Sequence, residues 1–266
     1  MALAQWIEPQ LSKLATKAPS GPQWIHEVKL DGYRMAARIE GGQVKLLTRS
    51  GLDWTAKYPA TAAALAKLRV KTAYIDGELC AVRPDGVTSF ELMQQASDAG
   101  SAGLTFFAFD LLELDGQDIA RLALGERKRR LAELLKNPPS GIVFREHEGG
   151  DGEAFRKAAC EHGLEGIVSK RIDRPYLPGD RGAWVKTKCL NRVEFVVGWS
   201  DPEGSFAPAT PFRRRGCSFR MTFRERGEPG DVVDDNAAAV DDDTNPRQLS
   251  QRAGKTLGLH AQPCGD

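Results

Sequence analysis

A lysine that ends an apolar strand and meets a tight turn presents its amine at the rim of a sheet, where a ligand can reach it. The segment Glu27-Val28-Lys29-Leu30-Asp31-Gly32-Tyr33-Arg34 has that arrangement. Asp31-Gly32 favours the turn, and Arg34 stands just beyond it. Taken alone, KxDG fits a hairpin with a solvated lysine equally well. Four further charged segments follow, each at a predicted strand or its end: Thr48-Arg49-Ser50-Gly51, Asp76-Gly77-Glu78, Glu165-Gly166-Ile167-Val168-Ser169-Lys170 and Trp184-Val185-Lys186-Thr187-Lys188. An aromatic strand, Phe106-Phe107-Ala108-Phe109-Asp110, lies between the second and third. Lys186 and Lys188 alternate along one strand and so share a face. Glu78 and Glu165 are hard oxygen donors suited to Mg²⁺ or Mn²⁺. A nucleophilic lysine must shed its proton, although a free lysine titrates near 10.4. Cationic neighbours and a bound metal favour the neutral amine. Such a set suits in-line attack on phosphorus, which positioning and charge neutralisation catalyse.

The elements that must hold these residues are short. Runs rich in β-branched and aromatic residues predict strands over 24–29, 33–39, 43–47, 73–82, 104–111, 142–144, 166–170, 183–188 and 195–200. Apolar spacings of three and four predict helices over 58–68, 89–95, 124–135 and 152–162. Strands and helices mixed without a strict βαβ rhythm read as α+β. The 266 residues suggest roughly two domains. With 37 basic against 36 acidic side chains the net charge is +1, which excludes a polycationic coat but not a local basic groove. No stretch of about 18 apolar residues occurs, so no membrane span is expected, and the first residues do not read as a secretory signal. The five cysteines contain no CxxC pair, so neither a Zn ribbon nor a disulfide framework is expected, and a reducing cytosol is the default. Apolar residues are sparse after about 205, and 206–266 are read as a poorly ordered tail.

The motif set closely resembles the nucleotidyltransferase motifs of ATP-dependent DNA ligases, in the family's order: KxDGxR, TRSG, DGE, FDLL, EGIVSK and WVKTK. It is most similar to the ligase module of bacterial non-homologous end-joining ligases, whose opening stretch resembles Pro9-Gln10-Leu11 through Arg34. The resemblance covers about residues 5–205. It implies an adenylation domain of mixed antiparallel sheets with flanking helices over 1–190, then the start of an OB-type barrel over 191–205. It also implies a covalent lysyl-AMP at Lys29, with ATP and Mg²⁺ (or Mn²⁺) as cofactors. Lys186 and Lys188 would hold the α-phosphate, and Glu78 and Glu165 the metal. Glu27 resembles the acid that accepts from the adenine amino group, and Arg34 and Arg49 resemble ribose and phosphate contacts. Glu78 would also reach the ribose, while Phe109 would stack on adenine with Val168 closing the other side. Phe106 and Phe107 are expected in the core. AMP would then pass to the 5′-phosphate of nicked or broken double-stranded DNA, gripped through backbone phosphates. The helical run Arg127-Lys128-Arg129-Arg130 is the candidate DNA contact, and a solvated helix face fits it equally well. A monomer in a bacterial cytoplasm, near the nucleoid and with a Ku-like end-binding partner, completes the expectation.

The sequence departs from the pattern after Val193–Ser205. No RxDK-like motif follows before Asp266, so weak self-adenylation is expected, a frame shift being one reading. Two alternatives stay open: an ATP- or DNA-binding module without sealing activity, and an RNA-ligase or capping-type nucleotidyltransferase.

Overall fold

Alternation along the strands decides which side of each sheet is dry. In the strand Tyr33–Glu40, Met35, Ala37 and Ile39 are buried, so one face of the ribbon needs an apolar cover. The computed structural model describes residues 3–98, 103–179, 182–189, 199–200 and 206–207. Its strands in chain order are β1 (Lys13–Leu14), β2 (Trp24–Val28), β3 (Tyr33–Glu40), β4 (Gln43–Thr48), β5 (Thr72–Ala81), β6 (Leu104–Leu114), β7 (Gln117–Asp118), β8 (Ile142–Phe144), β9 (Glu148–Gly149), β10 (Gly166–Arg171) and β11 (Trp184–Lys188). The helices are α1 (Pro59–Leu65), α2 (Phe90–Asp98), α3 (Leu124–Leu134) and α4 (Gly152–Glu161). The fold is α+β, as expected. Elements 24–29 through 183–188 all appear, within a few residues of their predicted ends. The two-residue strands β1, β7 and β9 were not predicted, because so short an edge strand carries no period.

Two sheets result. The first runs β1-β11-β10-β2-β9 and the second β4-β3-β5-β6-β7, with β8 parallel to β6. All pairings are antiparallel except β1 with β11 and β6 with β8. The main core lies between one face of the second sheet and the helices, where Met35, Ile39, Leu46, Ile75, Leu79, Phe106 and Leu111 meet Leu65 of α1 and Leu131 of α3. On the first sheet, α4 covers Ile167 with Ala159 and Phe155. A third cluster joins the inner faces: Tyr74, Phe109 and Leu112 of the second sheet pack with Trp184 of the first and Tyr176. The floor of the cleft between the sheets is therefore apolar, and β6, covered on both sides, is buried along most of its length.

The cysteine expectation is corrected here. Cys160, at the end of α4, is disulfide-bonded to Cys189, just past β11. Antiparallel packing of β10 with β11 and of α4 on the sheet brings the two together, which their separation of 29 residues did not announce. Cys80 is free and buried. Closing a loop of that length contributes about 3 kcal/mol by removing unfolded-state entropy. Cys160→Ser is therefore expected to lower the melting midpoint by roughly 5–10 °C, and reductant should have no further effect on that variant. Equal midpoints for wild type and variant in oxidising buffer would overturn this.

The chain clusters as two units, residues 1–190 and 191–266. In the second, Trp199–Ser200 pairs antiparallel with Phe206–Ala207. The rest of the expected barrel opening at 191–205 and of the tail at 206–266 lies outside the described residues. No helix among the described residues is long and apolar enough to cross a membrane.

Candidate active site

Register on the first sheet places the charged motifs opposite one another. Glu27 of β2 faces Val168 of β10, which faces Lys186 of β11. One step along, the Lys29 amide donates to the Gly166 carbonyl (2.9 Å), and Gly166 is in register with Lys188. With a period of two, Lys29, Glu27, Val168, Lys186 and Lys188 share the face that looks into the cleft. Gly166 permits this closeness: its φ is +150°, and a Cβ there would lie 2.2 Å from the Thr187 carbonyl oxygen. The Lys29 ammonium ion-pairs with Glu165, both partly exposed at the cleft mouth. Lys188 is exposed.

The second sheet supplies the facing wall. Arg34 of β3 and Glu78 of β5 are in register, and Glu78 Oε1 accepts from the Gly32 amide (3.2 Å), tying the DGE strand to the KxDG turn. Gly32 is required at that turn because a Cβ would meet the Leu79 carbonyl oxygen at 2.4 Å. Arg34 donates two bonds to Asp76 (3.1 and 2.7 Å) and one to the Gln10 carbonyl (2.7 Å). Tyr176 completes this network by donating to Asp76 (2.8 Å). Burial works against the Arg34 charge, but Asp76 more than offsets it and raises its pKa. Arg49 is exposed at the end of β4 and lines a small cavity with Arg34, Asp76, Tyr176 and Trp6.

The comparisons with known proteins place the chain in a family. Residues 1–188 match the family model described as ATP dependent DNA ligase domain. The chain belongs to the ATP-dependent DNA ligase domain family. It is 38% identical over 206 residues to the multifunctional non-homologous end joining protein LigD of Pseudomonas aeruginosa, covering 76% of this chain and 24% of that protein. Against the LigD of Mycobacterium tuberculosis, a DNA repair protein, the identity is 39% over 204 residues, 74% of this chain and 26% of that one. The chain thus spans about a quarter of the length of these relatives. Among solved structures, a mycobacterial DNA ligase D complexed with ATP matches with a TM-score of 0.61 at 36% identity, over 70% of this chain and 61% of that one. The ligase domain of M. tuberculosis LigD matches with the same score at 38% identity, over 68% and 60%. The nucleotidyltransferase fold expected from the sequence is that of this ligase domain.

The deep end of the ligase cleft brings Lys170, not singled out in the sequence, together with Glu27, Lys128 and Phe109, which were. Glu27 is 3% exposed. Its Oε1 accepts from Lys128 Nζ (2.7 Å), and its Oε2 lies 2.7 Å from Lys170 Nζ. Burial favours the neutral acid, yet the two ammonium groups hold its carboxyl below the usual range. Phe109 is buried rather than presented as an open platform. Trp184 meets its ring edge-on at 6.0 Å, and Lys170 Nζ sits 4.2 Å from its centroid. Phe106 is in the core as expected, whereas Phe107 keeps partial exposure. Lys170 and Asp76 lay inside quoted motifs and could have been flagged there. Tyr176 carried no sequence signal.

The basic run of α3 corrects another expectation. Arg127 and Lys128 do not face DNA. Arg127 is fully buried in a bidentate pair with Asp110 (2.8 and 2.9 Å), and Lys128 reaches Glu27. A helix packed on a sheet turns part of any four-residue run inward. Arg129 and Arg130 remain toward solvent, both held by Glu126.

Glu78 gives a pH test of this geometry. Burial, with the Glu165 charge adding and Lys29 and Arg34 opposing, pushes its carboxyl up to about 7. The folded state therefore keeps a proton that the unfolded chain has released above the ordinary value near 4.5. The Glu78 contribution is complete below that value and is lost as pH rises to about 7. Metal-free wild type should lose melting temperature between pH 5 and 8, and Glu78→Gln should lose less. A steeper loss in Glu78→Gln would contradict the assignment.

Proposed function

We propose that this ligase domain uses ATP to adenylate Lys29 and passes the AMP to the 5′-phosphate of a nick or break in double-stranded DNA, whose 3′-hydroxyl then expels AMP to seal the strand. The observation that carries the reading is the Lys29 amine at the cleft mouth, ion-paired with Glu165 on the face that also carries Lys186 and Lys188. In the first step a bond forms between Lys29 Nζ and the α-phosphorus while the bond to the β-phosphate oxygen breaks, releasing pyrophosphate. Lys29, partly exposed at the cleft mouth, gives up a proton to water as it attacks. Lys186 and Lys188 neutralise the α-phosphate, Arg34 and Arg49 contact ribose and phosphate, and Glu78 reaches the ribose. Glu27 accepts from the adenine amino group at the deep end, where Val168 lines the base site and Phe109 lies beneath it in the apolar floor.

Among the described residues no three His, Cys, Asp or Glu side chains cluster for a metal. Mg²⁺ nevertheless needs only one or two carboxylates alongside substrate phosphates, and Glu78 and Glu165 lie close enough for the Glu165 charge to act on Glu78. The pair fits Mg²⁺ or Mn²⁺, which would supply charge neutralisation at the phosphates. Arg129 and Arg130 offer DNA phosphate contacts. A bacterial cytoplasm with a Ku-like partner for a monomeric ligase completes the reading.

Intact mass after incubation with ATP and Mg²⁺ tests the first step. A partial gain of one AMP, mapped to Lys29, is expected, because the resting amine must first leave its ion pair with Glu165. An AMP adduct at any other residue would overturn the reading.

A further inference from the structure

Two ammonium groups arriving from different elements grip opposite oxygens of Glu27. Lys170 comes from the same sheet, two residues beyond Val168 on β10. Lys128 comes from α3, crosses 101 residues of sequence, and also donates to the Arg145 carbonyl (2.9 Å). Glu27, Lys128 and Lys170 are each no more than 3% exposed. Such a carboxylate, kept ionised, can only accept hydrogen bonds, and its two oxygens together offer about four acceptor positions. Lys128 takes one of these and Lys170 stands as an ion-pair neighbour of the other oxygen, so acceptor positions remain for an exocyclic amino group. A base that presents a carbonyl oxygen at the same place would meet the negative charge of a carboxylate that cannot donate to it. Burial alone would drive Glu27 toward the protonated acid, which can donate to a carbonyl. Lys128 and Lys170 together oppose that, and Lys128, reaching in from α3, is the one of the two that also holds its place through the Arg145 carbonyl.

We propose that Lys128 is a specificity-determining positioning residue that acts through Glu27 to make the cleft select adenine over guanine nucleotides. This rests on the reading above, in which Glu27 meets the amino group of the base. It assigns a role to a helix whose basic run looked, in sequence, like a surface feature.

The test is equilibrium binding of the α,β-methylene analogues of ATP and GTP, which cannot adenylate Lys29, to the full chain by calorimetry. Wild type should prefer the ATP analogue. Lys128→Met should lower that preference at least about tenfold, chiefly by weakening ATP and admitting GTP. Lys128→Arg should restore most of it. The double variant Lys128→Met/Glu27→Gln should be no less selective than Glu27→Gln alone, because the effect of Lys128 runs through Glu27. Should Lys128→Met fail to fold, as judged by circular dichroism, Lys128→Gln removes the charge while keeping a donor and is expected to lose selectivity in the same direction. An unchanged preference in the folded lysine variants, with selectivity lost in Glu27→Gln, would overturn the proposal and leave the base contact standing. An unchanged preference in Glu27→Gln as well, or no preference in wild type, would overturn both.

Discussion

Lys29→Ala is expected to abolish nick sealing, lowering the rate at least about 10⁴-fold, which corresponds to about 5.5 kcal/mol of barrier. The loss should be chemical and not structural. Lys29 and its partner Glu165 both lie partly in solvent at the cleft mouth, and pairs of that kind contribute at most about 1 kcal/mol to folding. The residues that fix the sheet around Lys29 are backbone partners, notably the Gly166 carbonyl, and these survive truncation of the side chain. Sealing of a nicked duplex should therefore vanish while the melting curve stays within a few degrees of wild type. Sealing by the variant within tenfold of wild type would remove Lys29 from the nucleophile's role and with it the covalent route.

Asp110→Ala should behave in the opposite way, unfolding the ligase domain without touching the reacting groups. Asp110 on β6 and Arg127 on α3 are both completely buried and joined by two short bonds. Removing the acid leaves a guanidinium in the interior with two carbonyl partners, Leu122 and Arg174. Breaking a buried pair from one side costs about 3–5 kcal/mol, because the remaining charge has no compensation. For a domain of this size the midpoint should fall by roughly 10–15 °C. Replacing both partners, as in Asp110→Leu/Arg127→Met, should recover much of the loss, since an apolar pair of similar volume needs no compensating charge. A midpoint for Asp110→Ala within two degrees of wild type would show that the pair does not anchor α3. The contrast between positions 29 and 110 separates chemistry from scaffold in one pair of measurements.

Most of the strands and all four helices were legible because each depends on local pattern: alternation in Tyr33–Glu40, spacing of three and four in Gly152–Glu161, and Gly or Asp at the breaks. The motif residues were legible for a different reason. Lys29, Glu78, Glu165, Lys186 and Lys188 stand in short motifs whose order resembles that of the ligase family, so the resemblance singled them out without any knowledge of the fold. Arg127 and Lys128 were not legible in that way. Their side chains leave the helix in directions set by its packing, and the acids they meet lie 17 and 101 residues away.

The sequence by itself determined the α+β class and the order of the elements, because period and turn propensity act over a few residues, and its motifs carried the resemblance to the ligase family. Only the tertiary structure decided that two sheets face each other across an apolar floor, that Cys160 meets Cys189, and that a basic helix turns two cations inward, Arg127 to buried Asp110 and Lys128 to buried Glu27. Those outcomes depend on which distant surfaces pack together, and the burial that results, with its charged neighbours, shifts the titration of Glu27 and Glu78 in the cleft.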